Sequence, residues 1–298
     1  MTPELFKKFS AIAYAKAGIF LKDGKETLVS ARVRKRQRAL GIEHPKDYLK
    51  YLEDDESGDE LVHFLDAIST NFTSFFRERE HFDLLAEVIK AWIAQGRHKL
   101  RIWSAAASSG EEPYSLAITI LEAIESRPID LKILATDIST RVLQKARDGI
   151  YPVSQLESLS KRQRLMFFLP IEGSDPSEPL LQVTPEVRQL VTFKRLNLSV
   201  TPYPMKGPFD LIFCRNVMIY FDKSVRQKLV TEFQRLLKPD GYLITSHTES
   251  LMGLDSTFSA VTPSIYRSDT GRKSLRTRRS SKTTKGVYQS LAPRGKVL

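Results

Sequence analysis

The sequence has few of the features that disulfide-rich proteins, metalloproteins and membrane-spanning proteins depend on. It has one cysteine, Cys214, in 298 residues, which excludes an internal disulfide framework and fits a reducing compartment. Its five histidines are scattered along the chain, with no pair at metal-ligand spacing, so we expect no metal site. No stretch reaches the roughly 18 apolar residues of a membrane span. Lysines interrupt any apolar run at the start, so we expect no signal peptide and a cytoplasmic location.

The formal net charge of +11 is unevenly distributed along the chain, because two stretches contain no acidic residue. Residues 271–298 contain nine Lys or Arg and no Asp or Glu, and the rest of the chain carries only +2. Few large apolar residues occur there, which predicts a disordered basic tail. Residues 27–42 also lack acidic residues, and their five central cations are Arg32, Arg34, Lys35, Arg36 and Arg38. Such a run is either a solvated helix face or a surface for an acidic partner.

The periodicity of apolar residues divides the chain into a helical part and an alternating part. Residues 1–70 are predicted to be helical, and Leu61, Phe64, Leu65 and Ile68 follow the spacing of one apolar helix face. Beyond them, predicted strands at 99–105, 131–137, 209–214 and 242–246 alternate with predicted helices at 111–126, 140–148 and 223–237. Continuous apolar strands between helices indicate a doubly wound α/β sheet. The alternation fails between 151 and 190, where 180–183 and 190–193 are predicted to form a small hairpin beside the sheet.

The turn after the first predicted strand reads W-S-A-A-A-S-S-G-E-E-P-Y-S-L-A over residues 103–117. Small residues at a strand-to-helix turn let a ligand approach the backbone closely. Glu111 and Glu112 at the helix start would repel a phosphate but suit a cationic ligand such as S-adenosylmethionine (SAM). The alternative is that both carboxylates only complement the helix dipole, and this stretch alone does not separate the two interpretations.

Asp137 ends the second predicted strand, and ligands of such folds bind at the carboxyl ends of strands. An acidic residue at this position typically accepts hydrogen bonds from ribose hydroxyls. The alternative role is the N-cap of the next helix, for which Ser139 competes. After the small-residue loop, ribose binding is the favoured interpretation.

Four segments resemble the CheR-type chemoreceptor glutamate O-methyltransferases over residues 1 to about 268. They are N-F-T-S-F-F-R at 71–77, the loop at 103–117, A-T-D-I at 135–138 and G-P-F-D-L-I-F-C-R-N-V-M-I-Y-F at 207–221. The first and last are long and specific, whereas L-K-P-D-G-Y-L at 237–243 is common to many SAM methyltransferases. S-H-T-E at 246–249 departs from the family's usual G-H-S-E.

The resemblance implies a helical substrate-recognition domain (1–70), a SAM-dependent methyltransferase domain (71–270) with an inserted β-subdomain at 167–192, and the basic tail. It implies methyl transfer from SAM to receptor glutamates, with S-adenosylhomocysteine as product and the cytoplasmic helical domain of a methyl-accepting chemoreceptor as partner. A receptor tail peptide could also bind the β-subdomain by strand addition. The implied cofactor-pocket residues are Asn71, Thr73, Arg77, Glu111, Asp137, Asn197, Leu198, Arg215 and Asn216. Arg77 and Tyr220 are the residues it places near the transferring methyl, and the cations of residues 32–38 are candidates for receptor recognition.

Methyl transfer to a glutamate carboxylate needs no catalytic base, in agreement with the lack of a recognisable one in the sequence. A glutamate carboxyl, with a reference pKa near 4.3, is already ionised at neutral pH, so alignment with the methyl donor is the main requirement. Two rivals stay open: a nucleic-acid methyltransferase, motivated by the basic segments, and a silent SAM-binding module. The first is disfavoured because C-R-N-V-M-I-Y stands where base methyltransferases carry a Pro-Pro loop.

Overall fold

Four helices form the amino-terminal part of the chain in the computed structural model, which describes residues 1–69 and 72–269. They are α1 (Pro3–Ala17), α2 (Glu26–Leu40), α3 (Pro45–Glu53) and α4 (Asp59–Ile68). The Thr2 side chain caps α1 by accepting the Leu5 N–H at 3.4 Å, and Gly18 ends that helix with a φ of +68°. The apolar face predicted for α4 is confirmed, because Phe64, Leu65 and Ile68 are buried in the core of this region.

Strands and helices alternate through the rest of the described chain. The strands are β1 (Lys99–Ser104), β2 (Asp130–Asp137), β3 (Ile150–Pro152), β4 (Phe168–Pro170), β5 (Leu180–Val183), β6 (Val191–Arg195), β7 (Phe209–Phe213), β8 (Leu237–Ile244), β9 (Phe258–Thr262) and β10 (Ile265–Ser268). The helices are α5 (Glu80–Ala94), α6 (Glu111–Ile124), α7 (Thr140–Asp148), α8 (Lys161–Phe167), α9 (Pro185–Arg188) and α10 (Lys223–Leu236), with 3₁₀ turns at Val153–Leu156 and Met218–Tyr220.

Seven strands form one sheet in the order β6-β2-β1-β7-β8-β10-β9. The strands from β6 to β8 are parallel, and β10 is antiparallel to both of its neighbours. Helices α5, α6 and α7 pack on one face, and α10 packs on the other. The doubly wound α/β prediction is therefore confirmed. The strand order reverses between β1 and β7, and such a switch point places a crevice at the carboxyl ends of the strands.

The predicted hairpin between residues 180–183 and 190–193 is wrong. β5 pairs with β3 and β4 in a separate three-stranded sheet, whereas β6 is an edge strand of the main sheet and pairs in parallel with β2. The small sheet thus draws its strands from 150–183 rather than from 167–192. Short apolar strands do not encode which distant partner they pair with, so adjacency along the chain was a poor guide.

β8 begins earlier than predicted, at Leu237, directly after α10. Pro239 and Gly241 therefore lie inside an irregular strand rather than before it.

Across residues 1–69 and 72–269, no helix has both the length and the apolar character to cross a bilayer.

Candidate functional site

A cleft of about 1000 Å³, part of it open to solvent, lies at the carboxyl ends of β1, β2 and β7. It brings together most of the predicted pocket residues, namely Thr73, Arg77, Asp137, Asn197, Leu198, Arg215, Asn216 and Tyr220. Asn71 lies outside the described residues, as does the predicted basic tail.

The amino-terminal helices form one wall of this cleft. The Phe20 N–H donates to the Tyr220 carbonyl at 2.7 Å, and the Asn197 side-chain amide donates to the Lys16 carbonyl at 2.7 Å. Ala17, Ile19 and Leu65 contribute apolar lining. The helical region is thus attached beside Tyr220, one of the two residues that the resemblance places near the reacting methyl.

Asp137 is at the end of β2, as predicted, and it is not the N-cap of the next helix. Ser139 is that cap, and its hydroxyl accepts the Val142 N–H at 3.4 Å. The Asp137 carboxylate instead accepts backbone N–H groups from Ser108 at 2.9 Å and Ser139 at 3.0 Å, so it joins the loop after β1 to the loop after β2. Burial raises the pKa of Asp137 above its ordinary value. A carboxylate can accept about four hydrogen bonds, so capacity for a ligand remains.

The two adjacent glutamates at the start of α6 differ in whether they line the cleft. Glu111, the predicted cofactor contact, is buried away from the cleft, where its carboxylate accepts from the Ser109 hydroxyl at 2.8 and 3.0 Å. Glu112 lines the cleft and accepts from the Ser104 hydroxyl at 2.8 Å. Successive helical residues point about 100° apart, so only one of the pair can face the cleft, and the motif alone does not say which.

Arg215 is a buried cation at the floor of the cleft, with 4% of its surface exposed. Its guanidinium lies 3.7 Å from the carboxylates of both Glu78 and Glu112, and it donates a short hydrogen bond to the Arg77 carbonyl. Among the described residues, its Nε and Nη1 atoms have no hydrogen-bond partner. Unmet donors on a buried cation that lines a cleft fit a ligand carboxylate.

Arg77 and Tyr220 both line the cleft, from opposite parts of the chain. Arg77 lies on the segment that connects the helical region to the sheet, and its Nη1 donates to the Phe72 carbonyl at 2.8 Å. Tyr220 ends the 3₁₀ turn after β7. The neighbouring Cys214 is fully buried, which raises the pKa of its thiol and makes it a poor nucleophile.

Two of the five histidines, although far apart in the sequence, lie close together in the structure. The rings of His81 and His247 are 4.7 Å apart, and a ligand atom of each lies within 4.8 Å of one from Glu78. Burial, followed by the Arg215 charge, lowers the pKa of His81 to about 4, so its ring is neutral at neutral pH. Arg215 already neutralises the Glu78 carboxylate, which disfavours a second cation there.

The five cations of α2 fall into two classes. Arg34, Lys35 and Arg38 are exposed, and Arg32 is partly exposed, as a docking surface requires. Arg36 instead makes a two-pronged pair with the buried carboxylate of Glu60, at 2.9 and 2.6 Å, and the Tyr48 hydroxyl donates to the same carboxylate at 2.7 Å. Arg36 thus stabilises a buried carboxylate and is less available to a partner than the other cations of α2.

Sequence reasoning missed Glu78 and Glu249, and it named Glu112 only as one of an acidic pair, not among the assigned residues of the cleft. Glu112 lines it, and Glu78 faces Arg215. Glu249 ends the S-H-T-E segment and accepts the Asn216 N–H at 2.8 Å. The sequence signal for Glu249 was that segment, and the signal for Glu112 was the acidic pair itself.

Comparison with known proteins gives a consistent assignment over both parts of the chain. A family model described as "CheR methyltransferase, all-alpha domain" matches residues 4–69, and one described as "CheR methyltransferase, SAM binding domain" matches residues 71–266. The chain is 44% identical over 262 residues to "Chemotaxis protein methyltransferase" of Salmonella typhimurium, covering 88% of each chain. It is 41% identical over 261 residues to the protein of that name from Escherichia coli, covering 88% of this chain and 89% of that one. It is also 41% identical over 265 residues to "Chemotaxis protein methyltransferase 2" of Pseudomonas aeruginosa, covering 89% and 93%.

Proposed function

The chain belongs to the CheR methyltransferase family, and from that premise we propose that it methylates glutamate side chains of a methyl-accepting chemoreceptor. SAM is the methyl donor, and S-adenosylhomocysteine is the product. The observation that carries the proposal is that residues of the family's SAM-binding domain line a cleft with a buried, incompletely paired Arg215. The relatives named above are chemotaxis protein methyltransferases, which supports a receptor of that pathway as acceptor.

The charged groups that line the cleft suit the parts of a SAM molecule. SAM supplies an electrophilic methyl group on a sulfonium centre and also carries an ammonium, a carboxylate and a ribose. We assign the carboxylate to Arg215, the ribose hydroxyls to Asp137 and the cationic part to Glu112. Asn197 and Leu198 would flank the adenine. Further pocket roles are proposed for Asn71, Thr73, Arg77 and Asn216.

The residues of this chain need to align and shield the reacting groups rather than activate them. An ionised acceptor glutamate is a competent nucleophile at neutral pH, so no general base is required. Arg77 lines the cleft and would orient the acceptor carboxylate by a charge-assisted hydrogen bond. Tyr220 would close the site beside it. Apolar lining from Ile19, Leu65 and Phe82 favours exclusion of water.

Receptor recognition is assigned to the helical region, residues 1–70, and catalysis to 71–270. Arg32, Arg34, Lys35 and Arg38 present positive charge that suits the glutamate-rich face of a receptor helix. The two edge strands of the small sheet, β3 and β4, are candidates for binding a receptor tail peptide by strand addition. The basic tail is proposed to add only nonspecific attraction to anionic surfaces.

Two alternative functions determine which controls the experiment needs. A nucleic-acid methyltransferase is disfavoured because the Cys214 thiol is buried and not ionised, which removes it as a nucleophile toward a base. A silent SAM-binding module is disfavoured because Arg77, Asp137 and Tyr220 share one cleft.

The experiment is transfer of radiolabelled methyl from SAM to three acceptors: receptor-containing membranes, membranes without receptor, and nucleic acid. We expect label on the receptor only. Label on nucleic acid, or SAM binding without transfer to any acceptor, would contradict the proposed function.

A further inference from the structure

The loop that carries Arg215, Asn216 and Tyr220 is held by contacts from outside itself. Asn216 has a φ of +60°, in the left-handed region, which asparagine adopts more readily than most residues other than glycine. The loop then turns into the 3₁₀ helix that ends at Tyr220. Its three side chains line the cleft, so a small rotation of the loop would displace all of them together.

The support comes from Glu249, which does not itself line the cleft. Its carboxylate has one oxygen that accepts N–H groups from Asn216 at 2.8 Å and Ser246 at 3.0 Å. The other oxygen accepts the Ile219 N–H at 3.3 Å. Glu249 is 4% exposed, so these bonds are shielded from water. One buried carboxylate thus ties both ends of the loop to the segment after β8.

Ser246 makes a second connection, toward the segment between the helical region and the sheet. Its hydroxyl accepts from the Asn216 side-chain amide at 2.8 Å and donates to the Glu78 carboxylate at 2.8 Å. Burial would raise the pKa of Glu78, but this hydrogen bond and the charge of Arg215 hold it below its ordinary value. Glycine, the residue usual in the family at the position of Ser246, has no side chain and could make neither hydrogen bond.

We infer that Glu249 and Ser246 are positioning residues of the methyl-transfer site: Glu249 holds the loop 215–220 in its binding shape, and Ser246 couples that loop to Glu78. This inference rests on the proposed function, because SAM is taken as the ligand whose binding the loop supports. Neither residue is assigned a contact with SAM or acceptor. Their effects therefore pass through Asn216 and its neighbours.

The primary test is SAM affinity of purified full-length variants by calorimetry, at a temperature where each variant is folded. Glu249→Gln keeps the shape of the side chain but places an amide among backbone donors, and we expect affinity to fall ~10- to 100-fold. Ser246→Ala should reduce affinity ~3- to 10-fold. Ser264→Ala is the matched control, because Ser264 is also a buried serine, and its hydroxyl bonds to His81 at 2.9 Å rather than to the loop 215–220. Its affinity should stay at the wild-type value.

A double-mutant cycle separates positioning from a general loss of stability. If Ser246 acts through Asn216 and Glu78, the affinity losses of Ser246→Ala and Glu78→Gln should combine to less than their product. Wild-type affinity in Glu249→Gln and Ser246→Ala, with only a lowered melting temperature, overturns the inference. Independent, multiplying losses overturn the coupling through Ser246. Because SAM binding needs no acceptor, these results stand apart from whether the wild-type enzyme methylates a receptor.

Discussion

The charged residues around the cleft and those along α2 are arranged in opposite ways. Around the cleft, Arg215, Glu112 and Glu249 are nearly or largely buried, and each is held by a second charge or by backbone donors. Along α2, Arg34 and Arg38 are exposed to solvent. Buried, fixed charges suit the orientation of a small ligand, whereas exposed charges act over a distance and are screened by salt. The difference supports the proposed roles, which are chemistry for the first group and partner capture for the second.

Arg36 tests this division within a single helix. Arg36→Ala leaves the buried Glu60 carboxylate with only the Tyr48 hydroxyl as a side-chain partner, and we expect a loss of about 2–4 kcal/mol in the free energy of unfolding. Arg34→Ala should change it by less than about 0.5 kcal/mol. Denaturant unfolding of both variants is the measurement. Equal losses would show that burial does not separate the cations of α2.

His81 gives the buried region around the cleft a dependence on pH. Its pKa is about 4 in the folded chain against 6.5 as the ordinary value, because it is buried and faces Arg215 and His247, with Glu78 and Glu80 opposing the shift. The unfolded chain therefore takes up the proton first. The stabilisation is complete above pH 6.5 and is lost as the pH falls through about 4, and it amounts to at most about 3 kcal/mol.

The measurement is the pH dependence of unfolding for wild type and His81→Gln. The wild type should lose more stability than the variant as the pH falls from 6.5 towards 4. If the free energy of unfolding changes with pH in the same way in both proteins, His81 is not the group responsible for the loss.

Asp137→Ala should weaken SAM binding by ~10- to 100-fold, because it removes hydrogen bonds to a charged group in the cleft. Asp130→Ala is the control at the opposite end of β2, where the carboxylate is exposed and pairs with Arg101. Calorimetry on the two variants distinguishes a ligand contact from a general effect on the strand. Unchanged SAM affinity in Asp137→Ala would remove Asp137 from the site.

Arg77→Ala should slow methyl transfer more than Tyr220→Phe does. Arg77 can contact both donor and acceptor through charge-assisted bonds, for a loss of ~10- to 100-fold, whereas one neutral hydroxyl accounts for roughly 5-fold. Single-turnover rates at saturating SAM are compared. The reverse order would assign the larger role to the aromatic residue.

The exposed cations should have the smallest effect and the greatest sensitivity to salt. Reversing charge at Arg34 and Arg38 together should reduce receptor methylation ~3- to 10-fold at low salt, while SAM affinity is unchanged. Added salt should narrow the gap to wild type. Truncation after residue 270 is the control and should retain most activity. If truncation abolishes activity and the charge reversal has no effect, recognition belongs to the tail.

The sequence predicted what depends on local pattern and missed what depends on distant contacts. The span of α7, the small-residue turn before α6 and the place of Asp137 at the end of β2 followed from periodicity and turn residues. The partner of β6 did not, because parallel pairing joins segments far apart in the chain. The same limit concealed the contact of His81 with His247 and the support that Glu249 provides to Asn216. Glu111 was preferred over Glu112 because a motif identifies the pair and not its orientation.

The central claim, methyl transfer to receptor glutamates, is tested most directly by identifying the modified atom. The enzyme is incubated with SAM and receptor-containing membranes, and receptor peptides are then mapped by mass spectrometry before and after mild alkali. The account predicts added methyl groups on glutamate residues, released by alkali as expected for esters and absent when those glutamates are changed to alanine. Alkali-stable methylation, or modification of any other residue type, would contradict it.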